Sequence, residues 1–576
     1  MAAAVPVVSV ADPETNADRI CALIDKAVDK SVSMILFPHS CITGSTCGDL
    51  ILQDRLQESA ENALEKICKF TEGLPITVIV GASVNLSGQI TYCNYIINDG
   101  DIVSAVPEGE YESFSINGAV FSFNDSDRAQ IILHPASEGE DMFRSEARKR
   151  IIAAQTENSH SAYIFCNAGF GESTTDYVFS GASLIYEDGK LLAEGKEFSH
   201  KAELTIADID VHALDHLRIR ESNDYDPAQE GDLAPIVIDN FPETEFDKHL
   251  YRPVNGMPFI PETDDGFRKA FQIQCNGLYS RMTAIRCSKA VIGISGGLDS
   301  TLALLCAVRT FEDSNWDKRN IIGITMPGFG TSRRTHDNAS ELMKELGITH
   351  REIDITASCV QHLKDIGHDG TIQDTAFENA QARERTQILM DVANMENAIV
   401  VGTGDLSELA LGWCTYNGDH MSNYAVNASI PKTLVRALVG WIADNIYHGS
   451  RTSSILKDII ATPVSPELTG KGGDITQITE DIVGPYELHD FFIYNMMVYG
   501  FSPEKILFLA NKAFEGKYSD EEIRKWMKLF IKRFFTQQFK RSCCPDGPQV
   551  SQVSLSPRGA WEMPSDIGGT LWRENL

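Results

Sequence analysis

The sequence has no excess of positive charge. Its 576 residues include 81 acidic residues against 50 lysines and arginines, which gives a formal net charge of −31. A chain this acidic offers no broad basic face to nucleic acid or to an anionic membrane, so a polyanionic ligand must be held by local donors or by a metal ion. Apolar runs of membrane-spanning length are also missing, and residues 1–5 lack the basic start of a signal peptide. We therefore expect a cytoplasmic protein with neither a nucleic-acid nor a membrane partner.

The 13 cysteines form none of the patterns that indicate a zinc site or a disulfide framework. They are scattered and odd in number, and no pair of C-x-x-C sequences occurs. The adjacent Cys543 and Cys544 are expected to be two reduced thiols. The length of the chain also excludes a single hydrophobic core, so roughly two to four domains are expected.

The first part of the chain predicts a layered α/β domain, because short apolar strands alternate with helical segments. The predicted strands cover residues 34–37, 76–80, 119–123, 131–133 and 162–165, and a helix is predicted over residues 58–70. Prolines at positions 242, 253, 258 and 261 indicate a linker. We assign the first domain to residues 1–240, the linker to residues 241–275 and the second domain to residues 276–576.

The second half predicts another α/β unit. Its predicted strands begin with residues 290–294 and continue with residues 321–325, 351–355 and 398–401, which together indicate a parallel sheet. Residues 485–541 are expected to be mostly helical, and the last thirty-odd residues are expected to be irregular.

Residues 294–300, Ile-Ser-Gly-Gly-Leu-Asp-Ser, lie between a predicted buried strand and a predicted helix. A glycine pair at such a position lets backbone N–H groups approach an anion, and the helix N-terminus adds the positive end of its dipole. Ser295 and Ser300 add hydroxyl groups, while Asp299 can hold Mg²⁺ against phosphate oxygens. A Walker loop is excluded because its lysine is missing, whereas a Gly-Gly turn before an ordinary helix stays open as an alternative.

The pattern Ser-Gly-Gly-x-Asp-Ser resembles the PP-loop of the ATP pyrophosphatases, which split ATP into AMP and pyrophosphate to activate a carboxyl or carbonyl group. Later segments narrow the resemblance to the NAD⁺ synthetases, in the form of the long glutamine-dependent enzymes. These segments lie at residues 325–331, 378–385, 401–408, 411–419, 484–490, 538–541 and 554–558. The resemblance implies a C-terminal doubly wound parallel-sheet domain of the adenine nucleotide alpha hydrolase type.

The resemblance also implies a reaction. ATP adenylates the nicotinate carboxylate of deamido-NAD⁺ (nicotinic acid adenine dinucleotide) and releases pyrophosphate, after which ammonia displaces AMP to give NAD⁺. A cradle of backbone N–H groups with Mg²⁺ would stabilise the negative charge that builds on phosphorus. The implied ATP-binding residues are Gly293, Ile294, Ser295, Gly296, Gly297, Leu298, Asp299, Ser300, Thr403 and Lys432. Asp299, Ser295 and Glu408 are the implied catalytic residues, with Asp299 and Glu408 as metal ligands.

A second set of positions is implied to hold deamido-NAD⁺. The set comprises Asn379, Arg383, Glu408, Trp413, Cys414, Thr415, Tyr416 and Lys540. Two interpretations stay open for Arg383 and Arg385, which either bind a phosphate group bidentately or belong to a solvated helix face. Trp413 either offers its ring to the nicotinate or packs in the core.

The first 240 residues resemble a nitrilase-type glutamine amidohydrolase, which implies an N-terminal α/β sandwich. The resemblance lies at residues 36–38, 48–54 and 167–176. Active domains of that family use a Glu base, a Lys that stabilises the oxyanion and a Cys nucleophile. The matching positions here hold His39, Glu108 and Ser122, so the triad is predicted to be lost. A Ser–His pair is chemically possible, but Glu108 would repel an oxyanion.

The sequence therefore favours an NAD⁺ synthetase that uses free ammonia and carries an inert amidohydrolase-like domain. Two alternatives stay open: a glutamine-dependent synthetase with relocated catalytic residues, and a non-catalytic nucleotide-binding scaffold. The intact phosphate loop, Thr403, Glu408 and Lys540 argue against the scaffold. The expected partners are ATP, Mg²⁺, deamido-NAD⁺ and ammonia, with a separate ammonia-supplying glutaminase as a possibility. The resemblance also implies a homo-oligomer.

Overall fold

The computed structural model describes residues 1–86, 89–108, 113–124, 129–221, 236–238, 249–330, 333–462, 479–574 and 576. The chain divides into two compact units, Met1–Pro253 and Val254–Leu576. Residues 241–248 of the predicted linker and Thr331 of the 325–331 segment lie outside the described residues. Within the described part of the chain, no helix has both the length and the apolar character needed to cross a bilayer.

The first unit is built mainly from strands. Its strands are β1 (Ala2–Val5), β2 (Met34–Leu36), β3 (Thr77–Leu86), β4 (Gln89–Asn98), β5 (Asp101–Pro107), β6 (Ser113–Ile116), β7 (Ala119–Ser122), β8 (Ile131–Ala136), β9 (Ala162–Asn167), β10 (Ser183–Glu187), β11 (Lys190–Glu194), β12 (Glu203–Ile206) and β13 (Ile236–Ile238). Its helices are α1 (Pro13–Val28), α2 (Asp54–Thr71), α3 (Arg144–Ser159) and α4 (Val211–Glu221), with a 3-10 turn at Gly48–Leu52.

Two sheets stack face to face in this unit and carry helices on their outer faces. The strand orders are β12-β1-β2-β3-β4-β5 and β11-β10-β9-β8-β7-β6-β13. Strand β2 explains the layering, because successive side chains of a strand point to opposite faces. Met34 and Leu36 join the core between the sheets, whereas Ile35 joins the core under α1 and α2. The result is the layered α/β sandwich that the sequence predicted.

The second unit combines a short sheet with many helices. Its strands are β14 (Ala290–Gly293), β15 (Ile321–Thr325), β16 (Thr349–Glu352), β17 (Ile399–Gly402) and β18 (Tyr424–Ala425). Its helices are α5 (Asp264–Ala284), α6 (Leu298–Asp313), α7 (Arg333–Leu346), α8 (Thr356–Asp365), α9 (Thr375–Glu396), α10 (Leu406–Leu411), α11 (Lys432–Asn445), α12 (Arg451–Ile460), α13 (Thr479–Val483), α14 (Tyr486–Tyr499), α15 (Pro503–Ala513), α16 (Asp520–Thr536) and α17 (Gln538–Arg541). Two 3-10 turns lie at Lys318–Asn320 and Leu571–Arg573.

The sheet of the second unit is parallel, with the order β16-β15-β14-β17-β18. The chain passes from β14 through α6 to β15 on one side and later places β17 on the other side of β14. Open α/β sheets bind their ligands at the carboxyl ends of the strands where the order reverses in this way. The predicted α/β class and doubly wound sheet are confirmed, and the reversal point lies at the end of β14.

Three local expectations differ from the structure. The strand predicted at residues 351–355 is β16, Thr349–Glu352, because backbone pairing with β15 sets its position while Ile353 and Ile355 mark only burial beyond it. The predicted linker 241–275 contains the start of α5, whose cap, Thr263, accepts the N–H of Gly266. The first unit also has more antiparallel strands than the expected alternation of strands with helices, since polar edge strands carry a weak apolar signal.

Candidate active site

The phosphate loop follows β14 and enters α6. Gly296 adopts a φ of +87°, and a Cβ at this position would collide with the backbone of Thr335, so only glycine fits. The hydroxyl of Ser295 accepts the N–H of Gly297 at 3.1 Å, and the hydroxyl of Ser300 donates to the carbonyl of Gly297 at 3.2 Å. The two serines therefore fix the path of the loop at the N-terminus of α6, where free N–H groups and the helix dipole favour an anion.

A buried asparagine joins this loop to the segment after β17. The side-chain amide of Asn427 donates to the carbonyls of Asp299 and Thr403, both at 3.0 Å. Its own oxygen accepts a hydrogen bond from Gln274 at 2.9 Å, and Asn427 is fully buried. One side chain thus ties together the two segments that were predicted to bind ATP.

Three helix N-termini bring opposite charges together behind the phosphate loop. Asp299 lies in the first turn of α6, and Glu408 lies in the first turn of α10. Asp405 caps α10 by accepting the N–H of Glu408 at 2.8 Å, and Lys432 is the first residue of α11. Acidic side chains are favoured at these helix ends, which explains their placement there.

Lys432 contacts all three carboxylates. Its Nζ lies 2.7 Å from Asp299 Oδ2 and 3.0 Å from Glu408 Oε1. It also lies 2.8 Å from Asp405 Oδ2, and the exposed fractions of these two side chains are 3% for Lys432 and 0% for Asp405. The ammonium group therefore neutralises part of a dense negative charge in a place that water barely reaches.

This crowding shifts the protonation equilibria of the cluster. Burial raises the pKa of Glu408 to about 7, with Asp299 adding to the shift and Lys432 opposing it. Burial also raises the pKa of Asp405 above its usual range. Burial alone would lower the pKa of Lys432, but the three carboxylates overcome that effect and raise it. Strongly perturbed groups beside a cleft are typical of functional sites.

The same carboxylates could hold a divalent cation. Asp299, Asp405 and Glu408 each offer an oxygen, and these atoms lie within 4.8 Å of one another. Mg²⁺ prefers such oxygen ligands. Asp299 Oδ1 is buried and has no hydrogen-bond partner among the described residues, so it remains available as a ligand atom. The donor set therefore fits Mg²⁺, with Asp299 and Glu408 as the members that line the cleft.

The phosphate loop opens into a cleft of about 850 Å³. The predicted site residues that line it are Gly293, Ile294, Ser295, Gly297, Leu298, Asp299, Ser300, Asn379, Arg383, Thr403, Glu408, Trp413, Cys414, Thr415, Tyr416 and Lys540. Two predicted residues do not line it: Gly296 packs against the Thr335 backbone, and Lys432 lies behind the carboxylates. The structure thus gathers the positions predicted for ATP and for deamido-NAD⁺ around one cavity.

Residues 412–416 form one wall of this cleft and are supported from α16 and α17. Lys540 Nζ donates to the carbonyls of Gly412 and Cys414, both at 2.7 Å. The guanidinium of Arg533 lies 5.2 Å from the centre of the Trp413 ring. Trp413 therefore packs against Arg533 while it also lines the cleft, so both interpretations of its role describe part of its surroundings.

The opposite side of the same wall contacts α9. Arg383 donates from Nε and Nη2 to the carbonyl of Tyr416 at 3.2 Å, and the hydroxyl of Thr415 donates to Asn379 Oδ1 at 2.8 Å. Arg385 donates to the carbonyl of Met326 at 3.2 Å. Both arginines thus hold backbone segments that line the cleft, a contact that was not considered from the sequence.

Several residues of the site were missed by reasoning from the sequence. They are Asp405, Asp419, Asn427 and Arg533. Asp405 had a usable signal, because Asp-x-x-Glu before an apolar run indicates a helix cap. Asp419 accepts the N–H of Thr415 at 2.7 Å, and burial raises its pKa. Asn427 gave no signal, since its partners are backbone carbonyls that are distant in sequence.

In the first unit, two positions of the predicted lost triad lie side by side. His39 Nε2 is 3.8 Å from Glu108 Oε2, and His39 Nδ1 shares a hydrogen bond of 2.9 Å with the hydroxyl of Ser40. The His39 ring stacks on Tyr92 with 3.5 Å between ring centres. Burial lowers the pKa of His39, although Glu108 opposes the shift.

Ser122, the third position, lies at the end of β7, where its hydroxyl accepts the N–H of Asn124 at 3.2 Å. Among the hydrogen bonds of the described residues, none joins Ser122 to His39. The pair that the sequence suggested, Ser122 with His39, is therefore not assembled in this structure. Cys166, the residue before the family segment 167–176, is a buried thiol, as are most cysteines of the chain.

The parallel sheet, the phosphate loop at its reversal point and the carboxylates beside the cleft define an α/β enzyme that handles nucleotide phosphates. The family model described as NAD synthase matches residues 270–517. This range contains the phosphate loop and the whole Lys432 cluster, whereas Lys540 lies beyond it.

Relatives match almost the full length. The glutamine-dependent NAD(+) synthetase of Mycobacterium leprae is 34% identical over 656 residues, covering 99% of this chain and 96% of that protein. The glutamine-dependent NAD(+) synthetase of Thermotoga maritima is 25% identical and covers 96% of each chain. A solved glutamine-dependent NAD(+) synthetase from Cytophaga hutchinsonii is 18% identical, with a TM-score of 0.45 and coverage of 100% of this chain and 98% of its own. On the M. leprae match, the chain belongs to the glutamine-dependent NAD⁺ synthetase family, which confirms the predicted NAD⁺ synthetase with an N-terminal nitrilase-like domain.

Proposed function

We propose that this chain makes NAD⁺, AMP and pyrophosphate from ATP, deamido-NAD⁺ and free ammonia, and that it does not hydrolyse glutamine. The observation that carries the choice of donor is the pair His39 and Glu108, 3.8 Å apart, at the positions where active amidohydrolases of the resembling family have a Glu base and a Lys. The proposal therefore joins a working synthetase unit to an inert amidohydrolase-like unit.

The first step is adenylation. An oxygen of the nicotinate carboxylate attacks the α-phosphorus of ATP, and the bond from that phosphorus to pyrophosphate breaks. The N–H groups at the start of α6 and the hydroxyls of Ser295 and Ser300 are placed to bind the phosphate oxygens on which negative charge increases. Asn427 holds Thr403 and the phosphate loop at a fixed spacing, so ATP meets a preformed site.

The donor set near the loop supports a magnesium site. Asp299 and Glu408 would hold the ion, and Asp299 Oδ1 is a buried acceptor without a hydrogen-bond partner in the part of the chain that the structure describes. When bound, Mg²⁺ supplies positive charge that offsets the charge of the phosphate oxygens. Lys432 supplies a permanent positive charge behind the same carboxylates.

The second step is amidation. The nitrogen of ammonia attacks the acyl carbon, the bond from that carbon to the AMP oxygen breaks, and the nitrogen loses a proton. Only neutral ammonia has the lone pair for this attack, so ammonium must first lose a proton. The wall formed by residues 412–416, held by Lys540 and Arg383, is placed to position the nicotinate end of the dinucleotide beside the phosphate loop.

Glutamine hydrolysis needs an oxyanion stabiliser, and the first unit opposes one. A carboxylate at Glu108 would repel the developing negative charge that a lysine would stabilise. Because burial lowers the pKa of His39, this ring is neutral at neutral pH and cannot replace the lysine. The two altered positions therefore fail for separate electrostatic reasons.

Glutamine hydrolysis also needs a thiolate, and three cysteines of the first unit are unsuited to supply one. The thiols of Cys41 and Cys166 are buried, and burial raises the pKa of Cys41 to about 12. Burial likewise raises the pKa values of Cys166 and of the half-buried Cys47. Since the thiolate is the nucleophile, a relocated catalytic cysteine finds no support among them.

The proposal departs from the relatives, whose names describe them as glutamine-dependent. It leaves ammonia to come from solution or from a separate glutaminase. A cytoplasmic location, homo-oligomeric assembly and the domain limits 1–240, 241–275 and 276–576 remain part of the proposal.

Steady-state assays of the purified chain test the proposal. With ATP and deamido-NAD⁺, ammonium should support NAD⁺ formation, and the rate should rise with pH at fixed total ammonium. Glutamine in place of ammonium should give no rate above background, and an electrophilic glutamine analogue should label no residue of the first unit. Equal rates with both donors would establish the glutamine-dependent alternative, and no product with either would establish the scaffold.

A further inference from the structure

Residues 484–490, Gly-Pro-Tyr-Glu-Leu-His-Asp, belong to the segments that carry the family resemblance, yet none of them has a role so far. They enter α14, a helix that does not line the cleft. Asp490 on this helix is 1% exposed, and a carboxylate buried this deeply calls for a compensating function or a full set of hydrogen bonds.

Asp490 receives hydrogen bonds from the two helices that carry Lys432 and Glu408. The hydroxyl of Ser407, the residue before Glu408, donates to Asp490 Oδ1 at 2.5 Å. The backbone N–H and the hydroxyl of Thr433, the residue after Lys432, donate to Asp490 Oδ2 at 2.9 Å and 2.7 Å. One carboxylate therefore binds α10 and α11 at their first turns.

A fourth hydrogen bond closes this arrangement. The backbone N–H of Lys432 donates to the hydroxyl of Ser407 at 2.8 Å, so Ser407 passes the restraint from Asp490 to the lysine itself. Because Ser407 and Thr433 are the direct neighbours of Glu408 and Lys432, a shift of Asp490 must move both charged residues. Lys432 Nζ donates to Glu408 Oε1 at 3.0 Å from the same position.

Tyr486 reaches the same lysine from one turn earlier on α14. Its ring centre lies 5.2 Å from Lys432 Nζ, a cation–π distance. Tyr486 and Asp490 are four residues apart and so share one face of the helix. The Tyr486 hydroxyl is buried without a hydrogen-bond partner among the described residues, which identifies the ring as the part that contributes.

We propose that Asp490 and Tyr486 are positioning residues for adenylation: from a helix outside the cleft, they set where Lys432 stands relative to Asp299 and Glu408. Neither residue lines the cleft. The inference rests on the proposed function, because it assigns a use to the Lys432 cluster during pyrophosphate release. It explains why an apolar helix carries a buried carboxylate and an aromatic ring on the face toward α10 and α11.

The role predicts a particular kinetic signature. Without the hydrogen bonds of Asp490, Lys432 and Glu408 would shift from the positions in which they act on the negative charge at phosphorus. A displacement of this kind costs about 10²-fold in rate. Asp490→Asn should therefore lower the kcat of pyrophosphate release about 10²-fold, while the KM values of ATP and deamido-NAD⁺ change less than about threefold. Ser407→Ala removes the hydrogen bonds of the Ser407 hydroxyl but leaves those of Thr433, so its kcat should fall less than that of Asp490→Asn.

The coupling between the two variants is a sharper test. If Asp490 acts on Lys432 through Ser407, the double variant Asp490→Asn/Ser407→Ala should be no slower than Asp490→Asn alone by more than about twofold. The Tyr486 ring is tested by two variants. The kcat of pyrophosphate release should be much lower for Tyr486→Leu than for Tyr486→Phe, because Tyr486→Phe keeps the aromatic face and removes only the unpartnered hydroxyl.

Asn495→Ala is the matched control, because Asn495 lies buried on the same helix and donates only to the carbonyl of Phe491 at 2.9 Å. It should lower the melting temperature and keep kcat. The inference is overturned if the kcat of Asp490→Asn stays within about twofold of wild type, or if Asn495→Ala loses as much kcat as Asp490→Asn at an equal melting temperature. It is also overturned if the kcat loss of the double variant equals the product of the losses of Asp490→Asn and Ser407→Ala. Should Asp490→Asn not fold, Ser407→Ala and the two Tyr486 variants decide the question. A wild-type chain that releases no pyrophosphate would instead refute the proposed function.

Discussion

Each unit of this chain places a basic side chain beside a carboxylate, Lys432 in the second unit and His39 in the first, but the surroundings of the two side chains differ. In the second unit, Lys432 and three carboxylates are largely shielded from water, and the pKa of Glu408 rises to about 7 through burial. In the first unit, burial lowers the pKa of His39, and its partner Glu108 is 71% exposed. Of these two sites, only the one in the second unit keeps its charges in a place where removing them from water is costly.

In both units, polar side chains hold the loops and helices near the site by hydrogen bonds. In the second unit, Asn427 and Asp490 hold the loops and helices that carry the charges. In the first unit, the Glu172 carboxylate still accepts the N–H groups of Ser45 and Thr46, at 2.8 Å and 3.0 Å, behind the loop that contains His39. These hydrogen bonds stabilise the loop that contains His39, independently of the residues at the proposed triad positions.

The largest effect that the comparison predicts is at Asp299. Asp299→Ala should lower pyrophosphate release in the presence of deamido-NAD⁺ at least about 10³-fold, because it removes the proposed metal ligand from a preformed phosphate site. The fold should survive, since Lys432 keeps Asp405 and Glu408 as partners. Asp313→Ala is the control, on the same helix but paired with Arg309 at the surface. Pyrophosphate release by Asp299→Ala at a near-wild-type rate would show that Asp299 has no part in adenylation.

A smaller and more selective effect is expected at Lys540. Lys540→Ala should raise the KM of deamido-NAD⁺ about tenfold, equivalent to about 1.4 kcal/mol, because two carbonyls of the 412–416 wall lose their donor. The KM of ATP should change far less. Lys532→Ala, an exposed lysine on α16, serves as the control. An equal rise in both KM values would show that the residue acts on the whole cleft.

Glu408 gives a test of the electrostatics that needs no substrate. Its folded pKa of about 7 exceeds the ordinary value of 4.5, so between these values the folded chain holds a proton that the unfolded chain has lost. The contribution of Glu408 to stability is therefore greatest below pH 4.5 and declines as the pH rises to about 7. Because Glu408→Gln cannot ionise, its melting temperature relative to wild type should rise across this range.

The control for that measurement is Glu521→Gln, at an exposed position on α16. The change with pH in the melting-temperature difference from wild type should be larger for Glu408→Gln than for this control. Equal changes for the two variants would contradict the raised pKa of Glu408, and with it the view that the cluster is shielded from water.

The smallest effect is expected in the first unit. His39→Ala should change the kcat of ammonium-driven NAD⁺ formation by less than about twofold, since the ring has no part in adenylation or amidation. Its contacts are the stacking on Tyr92, the hydrogen bond with Ser40 and the pairing with Glu108, all within the first unit. A fall in kcat as large as that of Asp299→Ala would break the comparison, because the first unit would then take part in the synthetase reaction.

Sequence reasoning recovered the features that rest on local patterns. Runs of apolar residues predicted β14 and β15, and the helical spacing of apolar residues predicted α2. The Ser-Gly-Gly-x-Asp-Ser loop lies where the strand order of the sheet reverses. The end of β16 and the start of α5 were misjudged, because backbone pairing and a helix cap, rather than apolar content, set those limits.

The parts of the site that could not be predicted depend on contacts between distant segments. Asp490 meets Ser407 and Thr433 across 83 and 57 positions of the chain, and Asn427 meets Asp299 across 128. A buried carboxylate or amide gives no periodic signal of its own, since its partners are fixed only by the packed fold. Resemblance pointed to the segment 484–490 without giving a reason, and the hydrogen bonds of Asp490 supply one.

The most direct test of the central claim follows the nitrogen atom itself. The purified chain is given ATP, deamido-NAD⁺, unlabelled ammonium and glutamine labelled with ¹⁵N at the amide, and the mass of the NAD⁺ product is measured. The reciprocal experiment labels the ammonium instead. We expect unlabelled NAD⁺ in the first case and labelled NAD⁺ in the second, in the same amount as when glutamine is left out. Incorporation of the glutamine amide nitrogen into NAD⁺ would contradict the account and show that the first unit still works as a glutaminase.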